Sequence, residues 1–201
     1  MDKVDAIRSH YENRIHPQQE SYRVLDWASS KSQQLRFRIL ADNVDLDGRS
    51  ILDVGCGLGD LWGYLKRREI PAEYTGVDLL EEMLAEAARR HPGATFVRGD
   101  VFREPDPFAG RQFDVVFGSG IFNLNLGNNH AFLPRAISRL LELSREHVVF
   151  NLLHARMPGT DPTYAYYNPE EVRLAMEGKP VEYEIVDDYL GNDFTVICRK
   201  K

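Results

Sequence analysis

Short apolar runs alternate with helical patterns through most of this chain, and this alternation constrains the fold more than any other feature. Runs that are apolar along their whole length and separated by amphipathic helices are typical of a parallel sheet covered on both faces. The pattern therefore predicts an α/β fold. The predicted strands cover 50–54, 73–77, 94–98, 114–118 and 147–152, and the predicted helices cover 59–68, 80–90 and 131–144.

The two ends of the chain depart from the alternation. The N-terminal segment is polar and helical in pattern, and one of its helices places Leu35 and Ile39 on a common face, with Leu40 beside them. The C-terminal stretch VEYEIVDDYLGNDFTVICRK predicts two antiparallel strands joined by a short turn at Gly191 and Asn192. We expect one domain over 1–201, with a helical cap at 1–46 and the α/β core at 47–201.

Composition narrows the classes of partner and compartment. The chain has 201 residues and a formal net charge of -6, which disfavours nucleic acid or an anionic membrane as the main partner because both attract basic surfaces. Its two cysteines, Cys56 and Cys198, lie far apart and lack metal-ligand spacing, which indicates a reducing compartment. No signal-like or membrane-spanning apolar run is present, so we expect a cytoplasmic protein.

The stretch ILDVGCGLGDL at 51–61 places a glycine-rich turn directly after the first predicted strand. Ligands of open parallel sheets bind at the carboxyl ends of the strands, and glycines let the backbone approach them closely. A dinucleotide turn has the spacing G-x-G-x-x-G, whereas this turn has G-x-G-x-G with Asp60 in the place of the third glycine. A carboxylate there would repel a pyrophosphate, so the turn favours a nucleoside without phosphate over a nicotinamide dinucleotide.

A second acidic residue supports a nucleoside ligand. Asp78 follows the second predicted strand, about 20 residues beyond the turn, where a carboxylate accepts hydrogen bonds from ribose hydroxyls. The adjacent Leu79 is placed to cover one face of an adenine ring. The alternatives are a tight strand-to-helix turn without a ligand and an ordinary helix cap at Asp78.

Four motifs on consecutive strands together resemble the class I S-adenosylmethionine-dependent methyltransferases. ILDVGCGLGDL is similar to the first motif of that family and YTGVDLLEEML to its second. FVRGDVF (96–102) is similar to the segment after the third strand, and FDVVFGSGIFN (113–123) to the one that leads into the active site. The resemblance covers about residues 50–152. It implies a Rossmann-like sheet of seven mostly parallel strands in the order 3-2-1-4-5-7-6, with the last strand antiparallel.

The resemblance also implies roles for individual residues. The cofactor would be S-adenosylmethionine, with Asp78 on the ribose, Asp100 on the adenine amino group and the amide of Val101 on the ring. The methionine part would lie against Asp53 and the turn. The N-terminal helix offers Arg36 as a partner for the methionine carboxylate, with Trp27 close by, and the alternative is an amphipathic covering helix whose charged residues face water. The predicted cofactor-binding residues are Trp27, Arg36, Asp53, Gly55, Cys56, Gly57, Asp78, Leu79, Asp100, Val101, Gly118 and Ser119.

Methyl transfer is an in-line displacement, so much of its catalysis is positioning and only an acceptor that must lose a proton needs a base. His154, directly after the fifth predicted strand, is the candidate base, and His130 is a weaker one. Tyr164, Tyr166 and Tyr167 form a cluster that would cover an organic substrate. No carboxylate accompanies the asparagines near strands four and five, so we expect no metal.

The reaction predicted from these residues is methyl transfer to a small organic molecule. One alternative keeps the cofactor and changes the acceptor to a protein side chain or RNA; another is a non-catalytic domain that only binds S-adenosylmethionine. A nicotinamide-dependent oxidoreductase is disfavoured by the glycine spacing and by Asp60. The oligomeric state stays open.

Overall fold

The computed structural model describes residues 3–16, 18–156 and 161–201 of the chain. The helices are α1 (Lys3–Tyr11), α2 (Ser21–Val24), α3 (Ser30–Asn43), α4 (Asp60–Arg67), α5 (Glu81–Arg90), α6 (Asn129–Leu143) and α7 (Pro169–Met176), with a 3-10 turn at Glu12–Arg14. The strands are β1 (Ser50–Val54), β2 (Glu73–Asp78), β3 (Thr95–Arg98), β4 (Phe113–Gly118), β5 (Ser144–Leu153), β6 (Val181–Val186) and β7 (Asp193–Lys200).

The seven strands form one sheet in the order β3-β2-β1-β4-β5-β7-β6. The pairs β1–β2, β1–β4, β2–β3 and β4–β5 are parallel, whereas β7 runs antiparallel to both β5 and β6. The predicted α/β class, strand order and antiparallel strand are therefore confirmed. The order reverses at β1, so the carboxyl ends of β1 and β4 flank the point where ligands bind in such sheets.

The central strands β1, β4 and β5 are largely buried on both faces, and their successive side chains point to opposite sides. Leu52 and Val116 face a core that includes Leu140 of α6, whereas Ile51 and Phe117 face a second core that includes Leu65 of α4. All five residues of β1 are buried. A strand that is buried on both faces is apolar along its whole length, so the central strands could be predicted from continuous apolar runs in the sequence.

Two details of the ends differ from the prediction. The buried face of α3 carries Gln33, Arg36, Phe37 and Leu40, while Leu35 and Ile39 are only half-buried. Two polar residues lie on this face because each has an acidic partner, so hydropathy alone placed the face incorrectly. The connection between β6 and β7 spans six residues, 187–192, and not the tight turn expected at Gly191 and Asn192. Arg156 holds this longer loop through the carbonyl oxygens of Asp187, Leu190 and Gly191.

Candidate active site

One cavity lies at the carboxyl ends of β1 to β4, beneath the N-terminal helices. It contains about 1080 Å³ of empty space, its solvent-open mouth included. Its sheet side is lined by the glycine turn, by the segments after β2 and β3, and by the segment after β4, whereas α1, the residues after α2 and Tyr164 line the opposite side. Deep, enclosed sites of this kind and position are where α/β folds bind small molecules.

The glycine turn is fastened to the acidic residue that ends β2. Gly57 has φ +53, in the left-handed region, and its N–H donates to Asp78 Oδ2 at 2.9 Å. The N–H of Leu80 donates to the other oxygen, Oδ1, at 3.1 Å. Burial raises the pKa of Asp78, and the hydrogen bonds from backbone N–H groups act against that rise. Each carboxylate oxygen accepts one backbone hydrogen bond and can accept another, so Asp78 still has acceptor capacity toward the cavity that it lines.

Asp100 presents a second carboxylate to the same cavity. Its Oδ1 accepts from the N–H of Phe102 at 2.9 Å, whereas the buried Oδ2 has no hydrogen-bond partner among the described residues. Arg103 Nε lies 3.6 Å from Oδ2, beyond hydrogen-bond distance. Leaving a buried acceptor unpaired costs about 1–3 kcal/mol, so Oδ2 is placed for a donor from a ligand.

Two more unpartnered atoms line the wall after β4. Ser119 Oγ and Asn123 Oδ1 are both buried without a hydrogen-bond partner among the described residues, and both residues line the cavity. With Asp100 Oδ2, they are the three buried side-chain atoms of the described chain that lack a hydrogen-bond partner. Their convergence on one cavity indicates a site for a polar ligand with several donors and acceptors.

The cap side of the cavity is more apolar than the sheet side, and a cluster of charged and polar side chains around Asp26 holds its segments together. Ile7, Leu25 and Trp27 line it together with Tyr11, whose pKa is raised to about 12 by burial and by Asp26. Asp26 lies at φ +61, a conformation uncommon outside glycine and better tolerated by Asp and Asn than by most residues.

The Asp26 carboxylate accepts hydrogen bonds from three segments of the chain. Its donors are His10 of α1 at 3.0 Å, Arg14 of the 3-10 turn, and the Tyr164 hydroxyl from beyond β5. Burial acts to raise the pKa of Asp26, but hydrogen bonds from Tyr164 and Arg14 bring it below its usual value. Asp26 therefore ties α1, the 3-10 turn and the segment after β5 together at the cavity.

Eight of the twelve predicted cofactor-binding residues line the cavity. They are Trp27, Gly55, Gly57, Asp78, Leu79, Asp100, Val101 and Ser119. The other four, Arg36, Asp53, Cys56 and Gly118, are absent from the cavity wall.

Asp53 lies below the turn, where it accepts from the Tyr74 hydroxyl at 2.8 Å and burial raises its pKa to about 7. Arg36 is buried and pairs with Asp193 at 2.5 Å, so its guanidinium is already engaged by the protein. The predicted pairing of Arg36 with the cofactor's carboxylate has no support in this geometry.

The predicted base and tyrosine cluster occupy different places. His154 is buried outside the cavity wall, where its Nδ1 accepts from the N–H of Arg156 at 3.1 Å and its ring packs edge-on against Phe194. His130 is exposed and contacts Glu171. Of the three tyrosines only Tyr164 lines the cavity. Tyr167 is buried and its hydroxyl donates to the carbonyl oxygen of Phe122, and the Tyr166 hydroxyl accepts from the backbone N–H of Asp161. Part of the predicted covering segment, 157–160, lies outside the described residues.

Sequence reasoning missed Asp26 and did not assign Asn123 to the cavity. Asp26 follows a short helix and belongs to no motif, and its positive φ and distant donors leave no local pattern. Asn123 lies in the asparagine-rich stretch after β4 but carries no spacing signal.

Comparison with known proteins agrees with this arrangement. The family model described as a methyltransferase domain matches residues 51–143, which include the glycine turn, Asp78 and Asp100. Residues 51–143 are therefore similar to a methyltransferase domain. The resemblance drawn from the four motifs is thus confirmed for this part of the chain.

Curated relatives share the methyltransferase region over part of their length. A phthiotriol/phenolphthiotriol dimycocerosates methyltransferase of Mycobacterium leprae is 37% identical over 107 residues, which are 52% of this chain and 37% of that protein. A fatty-acid O-methyltransferase of Mycolicibacterium smegmatis is 37% identical over 111 residues, 54% of this chain and 37% of that protein. The matched region therefore spans little more than a third of either relative.

Solved structures share the fold over the whole chain. Magnesium protoporphyrin IX methyltransferase from Synechocystis PCC 6803, with bound S-adenosylmethionine, superimposes with a TM-score of 0.72 at 16% identity and covers 100% of this chain and 98% of that one. CalS10, an amino pentose methyltransferase from Micromonospora echinaspora, gives a TM-score of 0.62 at 18% identity over 97% of this chain and 96% of that one. At these identities the likeness shows the fold.

Proposed function

We propose that this chain transfers a methyl group from S-adenosylmethionine to a small organic acceptor. The observation that carries the proposal is the set of three unpartnered buried atoms, on Asp100, Ser119 and Asn123, which line one cavity together with Asp78. The methyltransferase family match and the curated methyltransferase relatives support it.

The donors and acceptors of the cavity fit this cofactor. The ribose diol needs acceptors, which Asp78 supplies, and an adenine amino group needs one, which Asp100 Oδ2 supplies at the end of the neighbouring strand. Leu79 and Val101 offer apolar surface for the ring. Ser119 and the backbone of Gly55 are available to the amino-acid portion. The fold neighbour that binds S-adenosylmethionine supports the same assignment.

When bound, S-adenosylmethionine supplies an electrophilic methyl group on a positively charged sulfur. The work of this chain is then to hold two reactants in line, a form of positioning worth about 7–11 kcal/mol in favourable cases. The glycine turn, anchored by Asp78, orients one reactant from the sheet side. The cap, tied down by Asp26, holds the other and excludes water.

We propose an acceptor with a substantial apolar part. Ile7, Leu25 and Trp27 face the cavity from the cap, and Leu124 and Leu126 from the segment after β4. Two relatives act, by their names, on fatty acids and on phthiotriol dimycocerosates, which supports an acceptor of lipid-like character. The cap covers the site, and this enclosure, with the net charge of -6, disfavours a nucleic acid.

We further propose that residues 1–201 act as one domain, the cap at 1–46 on the core at 47–201, in the cytoplasm and without a metal. Within the described ranges, no helix has the length and apolar character needed to cross a membrane. The same ranges contain no group of three or more His, Cys, Asp or Glu side chains that could hold a metal ion.

Calorimetric titration with S-adenosylhomocysteine tests the proposal, with NADH run in parallel and Asp78→Ala as the matched variant. We expect micromolar binding of S-adenosylhomocysteine, loss of that binding in the variant, and no binding of NADH. Methyl transfer from labelled S-adenosylmethionine is then screened over fatty acids, hydroxylated lipids and amino sugars. Binding without transfer to any acceptor would favour the non-catalytic alternative, and no binding would refute the proposal.

A further inference from the structure

Behind the cavity wall lies a buried polar network centred on Asp193, the first residue of β7. Arg36 donates to Asp193 Oδ2 from Nε at 3.2 Å and from Nη2 at 2.5 Å. Asn151 of β5 donates to the same oxygen at 3.1 Å, and the Tyr189 hydroxyl donates to Oδ1. Asp193 is fully buried, and Arg36 and Asn151 are nearly so.

Two groups of this network reach residues of the cavity wall. The Arg36 guanidinium lies over the Trp27 ring, 4.2 Å from its centre, and the indole lines the cavity on the other side. The Asn151 side-chain oxygen accepts from the N–H of Gly120 at 3.1 Å. One buried carboxylate thus connects to the cap through Arg36 and to the segment after β4 through Asn151.

The two contacted wall residues also pack against each other. A Cβ placed on Gly120 would lie 2.8 Å from Trp27, and Gly120 has φ +77, so the position requires glycine on both counts. Gly120 directly follows Ser119 and lies within the segment that carries Asn123. Within the described residues, Ser119 Oγ and Asn123 Oδ1 are two of the buried atoms without a hydrogen-bond partner, and both residues belong to the cavity wall.

We propose that the pair Arg36–Asp193, with Asn151, is a positioning unit that holds Trp27 and the 119–123 segment at the geometry required for binding the cofactor. The inference rests on the proposed function and adds residues that neither the motifs nor the family match assign. It also gives Arg36 a different role from the one predicted: the side chain supports the site from behind through Trp27.

A purely stabilising role explains this network less well. A buried ion pair pays a large desolvation cost, and apolar replacements of similar volume are often as stable. The network moreover uses planar groups, a guanidinium on an indole ring and an amide on a backbone N–H, whose directional contacts fix orientation as well as distance.

The test uses the full chain carrying Trp62→Phe, which leaves Trp27 as the single tryptophan of the two in the sequence. Arg36→Lys keeps the charge opposite Asp193 but removes the planar stack on Trp27, and Asn151→Ala removes the acceptor for Gly120. Phe37→Leu is the control, because Phe37 is buried next to Arg36 in the sequence but packs against Tyr64 and Phe117, and none of these three aromatic residues lines the cavity. The readouts are acrylamide quenching of Trp27 in ligand-free protein, the melting temperature, and the affinity for S-adenosylhomocysteine.

We expect Arg36→Lys to raise Trp27 quenching by about twofold and to weaken S-adenosylhomocysteine binding by about 5–20-fold, the effect of losing one oriented polar contact. Asn151→Ala should weaken binding by a similar factor. Phe37→Leu should lower the melting temperature and change neither the quenching of Trp27 nor the affinity for S-adenosylhomocysteine.

Unchanged quenching in Arg36→Lys, or unchanged affinity in both Arg36→Lys and Asn151→Ala, would overturn the inference. If Arg36→Lys does not fold, the affinity of Asn151→Ala decides. A parent protein that binds no S-adenosylhomocysteine would refute the proposed function, whereas the quenching of ligand-free Trp27 would still decide whether Arg36 positions the indole.

Discussion

The carboxylates at the two sides of the cavity have opposite surroundings. On the sheet side, Asp53 and Asp78 are buried without a cationic partner, and burial raises the pKa of both. On the cap side, Asp26 accepts hydrogen bonds from Arg14, His10 and Tyr164, and its pKa is lowered. Asp78 keeps acceptor capacity for a ligand in the cavity, whereas the carboxylate of Asp26 holds protein segments together.

This difference assigns the two sides different work. Hydroxyl and amino groups of a bound nucleoside can complete the hydrogen bonding of Asp78 and Asp100. The cap contributes mainly apolar surface, and the acidic residue that it places in the cavity wall, Asp26, already accepts hydrogen bonds from other protein groups. We therefore expect changes to Asp78 or Asp53 to affect cofactor binding or the electrostatics of folding, and changes to the hydrogen bonds of Asp26 to affect turnover.

The largest expected effect concerns Asp53, the buried acid beneath the turn. Its pKa in the folded protein is about 7, above the usual value of 3.8, so the folded state keeps a proton that the unfolded chain loses near pH 4. The free energy of unfolding should fall by about 4 kcal/mol between pH 4 and 7 from this group alone and level off above pH 7. Asp53→Asn cannot titrate and should lack that fall.

Urea unfolding at pH 4.5, 6 and 7.5 measures the effect as the difference between the parent and Asp53→Asn. Other titrating groups are common to both proteins and cancel in this difference. Parallel stability curves over the whole range would show that Asp53 is not a raised-pKa acid, and the contrast with Asp26 would lose one of its members.

Asp78→Ala comes next, with an expected loss of about 100-fold in affinity for S-adenosylhomocysteine. The variant removes the predicted ribose acceptor and the anchor of the Gly57 N–H, and hydrogen bonds to a charged group contribute about 1.5–3 kcal/mol. Calorimetric titration gives the affinity. Glu81→Gln is the control, because Glu81 is exposed and contacts Arg98 outside the cavity; equal affinity in both variants would contradict the role of Asp78.

Asp26→Asn should reduce turnover by about 10-fold while the affinity for S-adenosylhomocysteine stays within about twofold, because it weakens about one charge-assisted tie of the cap. Asn tolerates the positive φ of this position, so the variant changes the charge and not the backbone. Tyr164→Phe removes one of the three hydrogen bonds that the Asp26 carboxylate accepts, and it should also reduce turnover. A loss of cofactor affinity with unchanged turnover would erase the distinction between the two sides of the cavity.

His154→Asn should have the smallest effect. The residue does not line the cavity, and Asn keeps an acceptor near the Nδ1 that receives the N–H of Arg156. We expect kcat within about twofold of the parent, since a general base must lie within hydrogen-bond reach of the proton it removes. A kcat loss of 100-fold or more, together with a change in how kcat depends on pH, would restore His154 as the base.

The cofactor side could be predicted in detail because its residues lie close together in the chain. The glycine turn, Asp78 and Asp100 lie at or just beyond the carboxyl ends of β1, β2 and β3, and parallel strands bring those ends to one edge of the sheet. Two of the predicted residues do not reach the cavity because partners in other elements hold their side chains. Asp53 points below the turn to Tyr74, and the side chain of Arg36 found a buried acid that no motif announces.

The cap side could not be predicted because its contacts join distant segments. Tyr164 and Asp26 are 138 positions apart, and Arg36 and Asp193 are 157 apart. Neither pair has a spacing that hydropathy or a turn motif records. The buried polar residues of α3 show the same problem, since their burial depends on partners in other elements, Asp60 for Gln33 and Asp193 for Arg36.

By itself, the sequence determined the α/β architecture, the sheet order expected of the resembled family, and the three acidic positions around the glycine turn. These follow from hydrophobic periodicity and from glycines and acids at strand ends, which act over short stretches of chain. Only the tertiary structure decided which of those acids face the cavity, that Asp26 ties the cap to Tyr164, and that Arg36 lies behind Trp27. The reason is physical: a charged side chain becomes buried only where the folded chain brings it a partner.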